Sequence, residues 1–163
     1  MGDPLYRPFA KEPSVLHAQF ARTHNPLIEW SYLRVVNLRL VHGAPIAQLA
    51  AFLETIPATA NSAVLTEKLA DLYEMQGKPS LAIETYQRAL KLNPSPEQRI
   101  RIRLTLGEKL LAQNRETDAL EKYKQLLKES PDYPGKASVE ARLAALEQKL
   151  AGTNAPASPK PAN

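Results

Sequence analysis

LAIETYQRALKLNP, residues 81–94, decides how the rest of the chain is read. Its apolar residues recur at helical spacing and Pro94 ends the run, which describes one amphipathic helix and leaves open whether that helix belongs to a bundle or to a repeat. A shift of 37 residues answers the question. When residues 63–94 are laid over residues 100–131, Leu69 falls on Leu106, Ala82 on Ala119, Glu84 on Glu121, Tyr86 on Tyr123, Leu90 on Leu127, Lys91 on Lys128 and Pro94 on Pro131. Two unrelated amphipathic helices would share an apolar stripe. They would not also share a small residue, an aromatic four positions later and a terminal proline in the same order, so the chain contains an internal repeat.

The repeat resembles the tetratricopeptide repeat family, whose pattern runs aromatic, Leu, small, Tyr on a first helix and Ala, aromatic, Pro on a second. The first copy fills these places with Thr66, Leu69, Ala70, Tyr73, Ala82, Tyr86 and Pro94, and the second with Arg103, Leu106, Gly107, Leu110, Ala119, Tyr123 and Pro131. Thr66 and Arg103 depart from the opening aromatic, and Leu110 departs from the tyrosine, so both copies are degenerate on their first helix. The resemblance implies an all-α fold, a short right-handed α-solenoid of antiparallel helical hairpins.

Each shared position has a physical reason. Ala70 and Gly107 are small where two helices must approach closely, and Tyr86 and Tyr123 fill the space between hairpins. Gly77 and Asn114 sit at equivalent places between the helices, and both residue types tolerate the left-handed conformation that ends a helix. The copies are 37 residues apart against the family's 34, and the excess lies in Ser95-Pro96-Glu97-Gln98. Ser as N-cap, Pro at the first helical position and Gln at the third form a capping signal, which predicts a helix lengthened at its start.

Outward from the copies, a helix over 136–150 carries the stripe Val139, Leu143, Leu146, Leu150, with Glu140, Arg142, Glu147 and Lys149 on the wet side. It is expected to cap the array, which cannot leave its last apolar face bare. Residues 151–163, with three prolines and no large apolar side chain, are expected to be a disordered tail. Upstream, Asn25-Pro26 starts a helix over 26–41 with apolar residues on nearly every side, expected to be buried by more than one neighbour. Ile46, Leu49, Leu53 and Ile56 then form a second stripe closed by Pro57, so 25–57 has the layout of a diverged hairpin one repeat length before the first clear copy. Ala47 and Ala51 are its candidates for the small-then-aromatic step. Residues 1–24 are expected to be an extended, proline-rich arm with a short helix over 14–23, which makes 25–150 one helical domain.

Composition narrows the chemistry. The 163 residues include no cysteine, so no disulfide, thiolate metal site or thiol nucleophile exists. His17, His24 and His42 show no metal-ligand spacing, the six glycines never cluster into a phosphate-binding loop, and no Gly-x-Ser-x-Gly occurs. The run Arg99-Ile100-Arg101-Ile102-Arg103 opens a helix, where roughly 100° per residue spreads the arginines apart. No catalytic residue, metal site or cofactor is expected, and the chain is read as a non-enzyme. With 21 basic and 17 acidic residues interspersed, the net charge of +4 does not point to nucleic acid. No stretch is apolar enough for a transmembrane helix. The first residues lack a signal peptide's apolar run, so the compartment expected is the cytoplasm, or the periplasm if a signal has been removed.

A stack of such hairpins lines its concave face with the first helix of each. The partner-binding groove is therefore expected at Val64, Glu67, Asp71, Glu74 and Met75 in the first copy, and at Arg101, Leu104, Glu108 and Leu111 in the second. Its acidic centre suits a protein or peptide that is basic or amphipathic. Relatives that hold a peptide's terminal carboxylate use Lys and Asn at such positions; Glu67 and Asp71 stand there instead, so no carboxylate clamp is expected. The second copy with its capping helix, ALEKYKQLLKESPDYPGKASVEARLAAL, is also similar to terminal repeats of bacterial cell-envelope assembly proteins. The resemblance implies an interaction adaptor or scaffold. The alternative is a structural subunit of a larger assembly or homo-oligomer docking through its apolar N-terminal hairpin. An exposed contiguous patch on helix 26–41 would favour that alternative.

Overall fold

A computed structural model of the chain describes residues 26–153. The arm and short helix expected over 1–24, and the tail from residue 154 on, lie outside the described residues. Pro26–Val41 (α1), Ile46–Thr55 (α2), Ala63–Met75 (α3), Pro79–Leu90 (α4), Pro96–Ala112 (α5), Glu116–Glu129 (α6) and Lys136–Thr153 (α7) are helical, with a 3-10 turn at Pro57–Asn61 and no strand among the described residues. This is an all-α architecture of helical hairpins.

The three hairpins turn in the same way. Gly43, Gly77 and Asn114 have φ of 76°, 69° and 57°. In each turn two N–H groups reach back to close the preceding helix: Gly43 to Leu40 and Ala44 to Arg39, Gly77 to Glu74 and Lys78 to Tyr73, Asn114 to Leu111 and Arg115 to Leu110. This is the Schellman closure, in which a left-handed residue lets the chain satisfy two otherwise orphaned carbonyls. The expected equivalence of Gly77 and Asn114 holds, and Gly43 builds the same turn 34 residues before Gly77.

Contacts divide the chain into two compact units, which meet between Asn93 and Pro94. One continuous domain over 25–150 is the expectation from sequence; the division falls where Asn93 takes a positive φ of 53° and Pro94 and Pro96 stop one helix and start the next. In the first unit α3 packs on α4, on α2 and on α1. Leu49, Leu53, Leu65, Leu69, Leu72, Ile83 and Val36 are its largest fully buried aliphatic side chains. Ser62 caps α3 by accepting from the Leu65 N–H at 3.1 Å. Thr66, which stands where the family places an aromatic, is fully buried and donates its hydroxyl to the Thr59 carbonyl at 2.7 Å, fastening α3 to the 3-10 turn.

In the second unit α5 packs on α6 and α6 on α7. Tyr123, Leu126, Val139, Leu143 and Leu146 form its core cluster, so the stripe on the last helix caps this unit as expected. Ser95 accepts from the Gln98 N–H at 3.2 Å, and α5 runs 17 residues against 13 for α3, the lengthening that the capping signal predicts. The helix expected to end at residue 150 continues to Thr153.

Two expectations need correction. Helix α1 does meet more than one neighbour, but these do not bury its apolar residues: Val36 is fully buried, whereas Leu27, Trp30, Leu38 and Val41 are 77%, 57%, 57% and 83% exposed. The helix packs on α2 and α3 from one side, so apolar composition all round does not translate into burial all round. Ala47 and Ala51, candidates for the close-approach step, are both exposed, and Ala50 is the buried alanine of α2.

Candidate functional site

The first-copy face expected to bind lies along α3 and follows the helical period. Val64 is half-buried, Glu67 is only 8% exposed, Asp71 and Glu74 are half-buried and Met75 is exposed. The carboxylates converge on one hydroxyl of α4: Tyr86 donates to Asp71 at 2.5 Å. Burial, this hydrogen bond, and the negative charges of Asp71, Glu67 and Glu74 push the Tyr86 pKa well above its ordinary value. The acidic centre is therefore in part an internal device that orients the repeat's tyrosine.

Tyr73, the last place of the repeat pattern on its first helix, turns toward the preceding hairpin and donates its hydroxyl to Glu54 of α2. Burial first, then the hydrogen bond and charge of Glu54, push its pKa up to about 12, with Arg88 acting in the opposite direction.

On α5 of the second unit, Arg101 and Glu108 are exposed, whereas Leu104 and Leu111 are half-buried and pack against the unit's core cluster. Glu108, the counterpart of Asp71, accepts from Arg142 of α7 at 2.8 Å, and Gly107 lies against the Tyr123 ring, which a Cβ at that position would overlap. Arg103, the second departure from the family's opening aromatic, reaches Gln125 and Glu129 of α6 at 2.5 Å each. In both copies the missing aromatic is thus replaced by a polar link to another element. The helix period locates these positions, but nothing in the sequence names their partners.

The surface that periodicity did not single out is on α1. Leu27, Trp30, Leu38 and Val41 follow one another at helical steps along the exposed side, and the Arg34 guanidinium lies 5.1 Å from the Trp30 ring centroid. On the opposite side Tyr32 meets Phe52 of α2 edge-to-face at 6.1 Å. Exposure is what separates the two sides, and composition does not report it. No helix among the described residues is long and apolar enough to cross a membrane, and no group of three His, Asp or Glu there could hold a metal ion.

The comparisons with known proteins agree with the repeat grammar. No curated protein matches the sequence. Among solved structures, the Yersinia enterocolitica type III secretion translocator chaperone SycD superposes with a TM-score of 0.61 at 15% identity, over 88% of this chain and 99% of that one. A structure of the MamA protein superposes with a TM-score of 0.51 at 16% identity, over 89% of this chain and 84% of that one. At these identities the likeness is one of fold. The family model for the tetratricopeptide repeat matches residues 68–96, a stretch that spans the Schellman turn at Gly77 and all of α4, so this stretch is similar to one tetratricopeptide repeat.

Proposed function

We propose that this chain is a non-enzymatic protein-interaction module that docks on another polypeptide through the exposed side of α1. The observation that carries this reading is the row Leu27, Trp30, Leu38 and Val41, four large apolar side chains more than half exposed on one helix. Scattered exposed apolar residues are ordinary on a soluble protein, but here two apolar pairs share one helix face, with Arg34 between them against the Trp30 ring, and tryptophan and arginine are the residues enriched at interface cores. A tetratricopeptide repeat fold supports an interaction role by analogy, as does the chaperone role of the Yersinia protein; the particular surface is argued from this chain alone.

The row fits the apolar face of another helix, and a second copy of the chain offers one. Sedimentation velocity over a wide concentration range, on wild type and on Trp30→Glu/Leu38→Glu, tests this. The expected result is a concentration-dependent mass in wild type that disappears in the variant, whose helical circular dichroism stays unchanged because both positions are exposed. Wild type that remains monomeric throughout excludes the homo-oligomer; if affinity capture with the two proteins then also recovers the same partners, α1 is not the docking surface.

A second reading keeps the groove expected at Val64, Glu67, Asp71, Glu74, Met75, Arg101, Leu104, Glu108 and Leu111. The convergence of three carboxylates on one α3 face favours it, and a basic or amphipathic peptide would be the ligand. Its probe is an exposed position, Met75→Lys, since Glu67 is too buried for charge reversal to leave the fold intact. Loss of a captured partner in Met75→Lys with retention in Trp30→Glu/Leu38→Glu would move the docking surface from α1 to the groove.

A further inference from the structure

A cavity of about 530 Å³ opens in the first unit where the end of α2, the 3-10 turn, α3 and α4 come together. No residue of α1 and none of the groove positions lines it. Ile56, Leu69 and the ring of Tyr73, all under a tenth exposed, supply apolar wall. The volume lies within the range of small-molecule and cofactor sites, which combine such walls with a few placed polar groups.

Four polar side chains besides Tyr73 complete the lining, and two of them are matched within the fold, Thr55 by donating its hydroxyl to the Phe52 carbonyl at 2.7 Å. Glu54 accepts the Tyr73 hydroxyl. The hydroxyl of Thr59, a residue only 4% exposed, has no hydrogen-bond partner among the described residues, although its own carbonyl is taken by Thr66. Arg88 stands at the exposed mouth, with no ion pair among the described residues. A buried hydroxyl without a partner is unfavourable unless something supplies an acceptor. The Thr59 hydroxyl is thus the unmet group, and it calls for an acceptor oxygen, while the exposed Arg88 guanidinium at the same cavity favours an acceptor that carries negative charge.

We propose that this cavity binds a monocarboxylate with an apolar body, the carboxylate held by the Arg88 guanidinium and the Thr59 hydroxyl and the apolar body lying on Ile56, Leu69 and Tyr73. Glu54 shares the lining, so a second negative charge on the ligand is repelled and dicarboxylates are excluded. The same chemistry is presented by a free organic acid and by the last residue of a polypeptide that ends in an apolar side chain.

The test is an NMR titration of the full chain with octanoate and with N-acetyl-leucine, each compared with its neutral amide, on wild type, Arg88→Gln and Thr59→Val. Saturable shifts are expected at the lining residues, with each amide about tenfold weaker than its acid, because a charge-assisted contact is lost. Arg88→Gln is expected to weaken binding about tenfold and Thr59→Val several-fold. Thr59→Val should keep or raise the melting temperature, since it removes an unsatisfied hydroxyl without changing shape, so its effect on binding is not one of misfolding. Preference for octanoate identifies the free acid as the ligand, and preference for N-acetyl-leucine identifies a chain end. The proposal is overturned if neither acid saturates, if the amides bind equally well, or if both variants bind like wild type. None of these outcomes bears on α1, which contributes nothing to the cavity.

Discussion

Gly107 and Gly77 are both glycine for reasons that a single substitution separates. Gly107 has ordinary helical geometry in the middle of α5, where alanine would be preferred by about 1 kcal/mol; what forbids a side chain is the Tyr123 ring, which is fully buried and cannot swing aside. Overpacking of this kind costs about 1–3 kcal/mol, so Gly107→Ala is expected to destabilise the chain by up to about 2 kcal/mol after the helix-propensity gain. Equilibrium urea denaturation measures it, and Tyr123→Leu in the same chain should recover most of the loss because the two sites share one space. Gly77 is the converse case. A Cβ there meets nothing within 4 Å, but φ is +69°, so Gly77→Ala should cost about 1–2 kcal/mol through backbone strain alone. No change in a neighbour would rescue it, whereas Gly77→Asn, the residue type used at the equivalent Asn114, should restore part of the loss.

At the scale of the element, the last helix shows which of two visible attachments matters. Polar links hold α7 to α5 and α6: Arg142 to Glu108 at 2.8 Å, Lys124 to Glu147 at 2.7 Å, and Lys149 to Glu116. Most of these side chains are around half exposed, and such pairs contribute under about 1 kcal/mol each because water and salt screen them. The apolar stripe is different, since Val139, Leu143 and Leu146 are all under a tenth exposed. Leu143→Ala is therefore expected to cost about 2–4 kcal/mol and Arg142→Ala under about 1 kcal/mol, measured by urea denaturation of the same chain. A larger effect for Arg142 would mean that α7 is held by its charges. The stripe was legible in the sequence because burial on one side of a helix leaves a period. So were the turn at Gly77, the cap at Ser95 and the longer α5. The polar replacements at Thr66 and Arg103 were not, because their partners lie 7, 22 and 26 residues away and no local pattern records a hydrogen bond. Helix α1 was misread for a related reason: apolar residues on every side describe a helix buried within its own fold and one that keeps a face for a partner equally well.

For the whole molecule, that ambiguity explains why fold was more legible than site. The repeat positions serve packing within this chain and leave the same trace wherever the repeat occurs, but a docking surface is defined by what its partner carries. The acidic positions on α3 illustrate the point, since sequence presents Asp71 as groove lining while the structure engages it with Tyr86. This engagement has a consequence for stability. Both Tyr73 and Tyr86 have pKa values raised above the ordinary tyrosine value of about 10, that of Tyr73 to about 12, so the folded state holds their protons more tightly than the unfolded chain does. Between the unfolded and folded values the unfolded state binds fewer protons, and stability must fall as pH rises. The contribution of the two hydroxyls is thus complete below about pH 10 and lost progressively above it. Urea denaturation at a series of pH values from 8 to about 12, with tyrosinate absorbance followed in parallel, should show stability declining from about pH 10. Tyr73→Phe/Tyr86→Phe should lower stability at pH 8, because Glu54 and Asp71 lose a donor, and should flatten the alkaline slope. A double variant as steep as wild type would mean that the alkaline loss comes from other groups and that the carboxylates of α2 and α3 do not hold these hydroxyls.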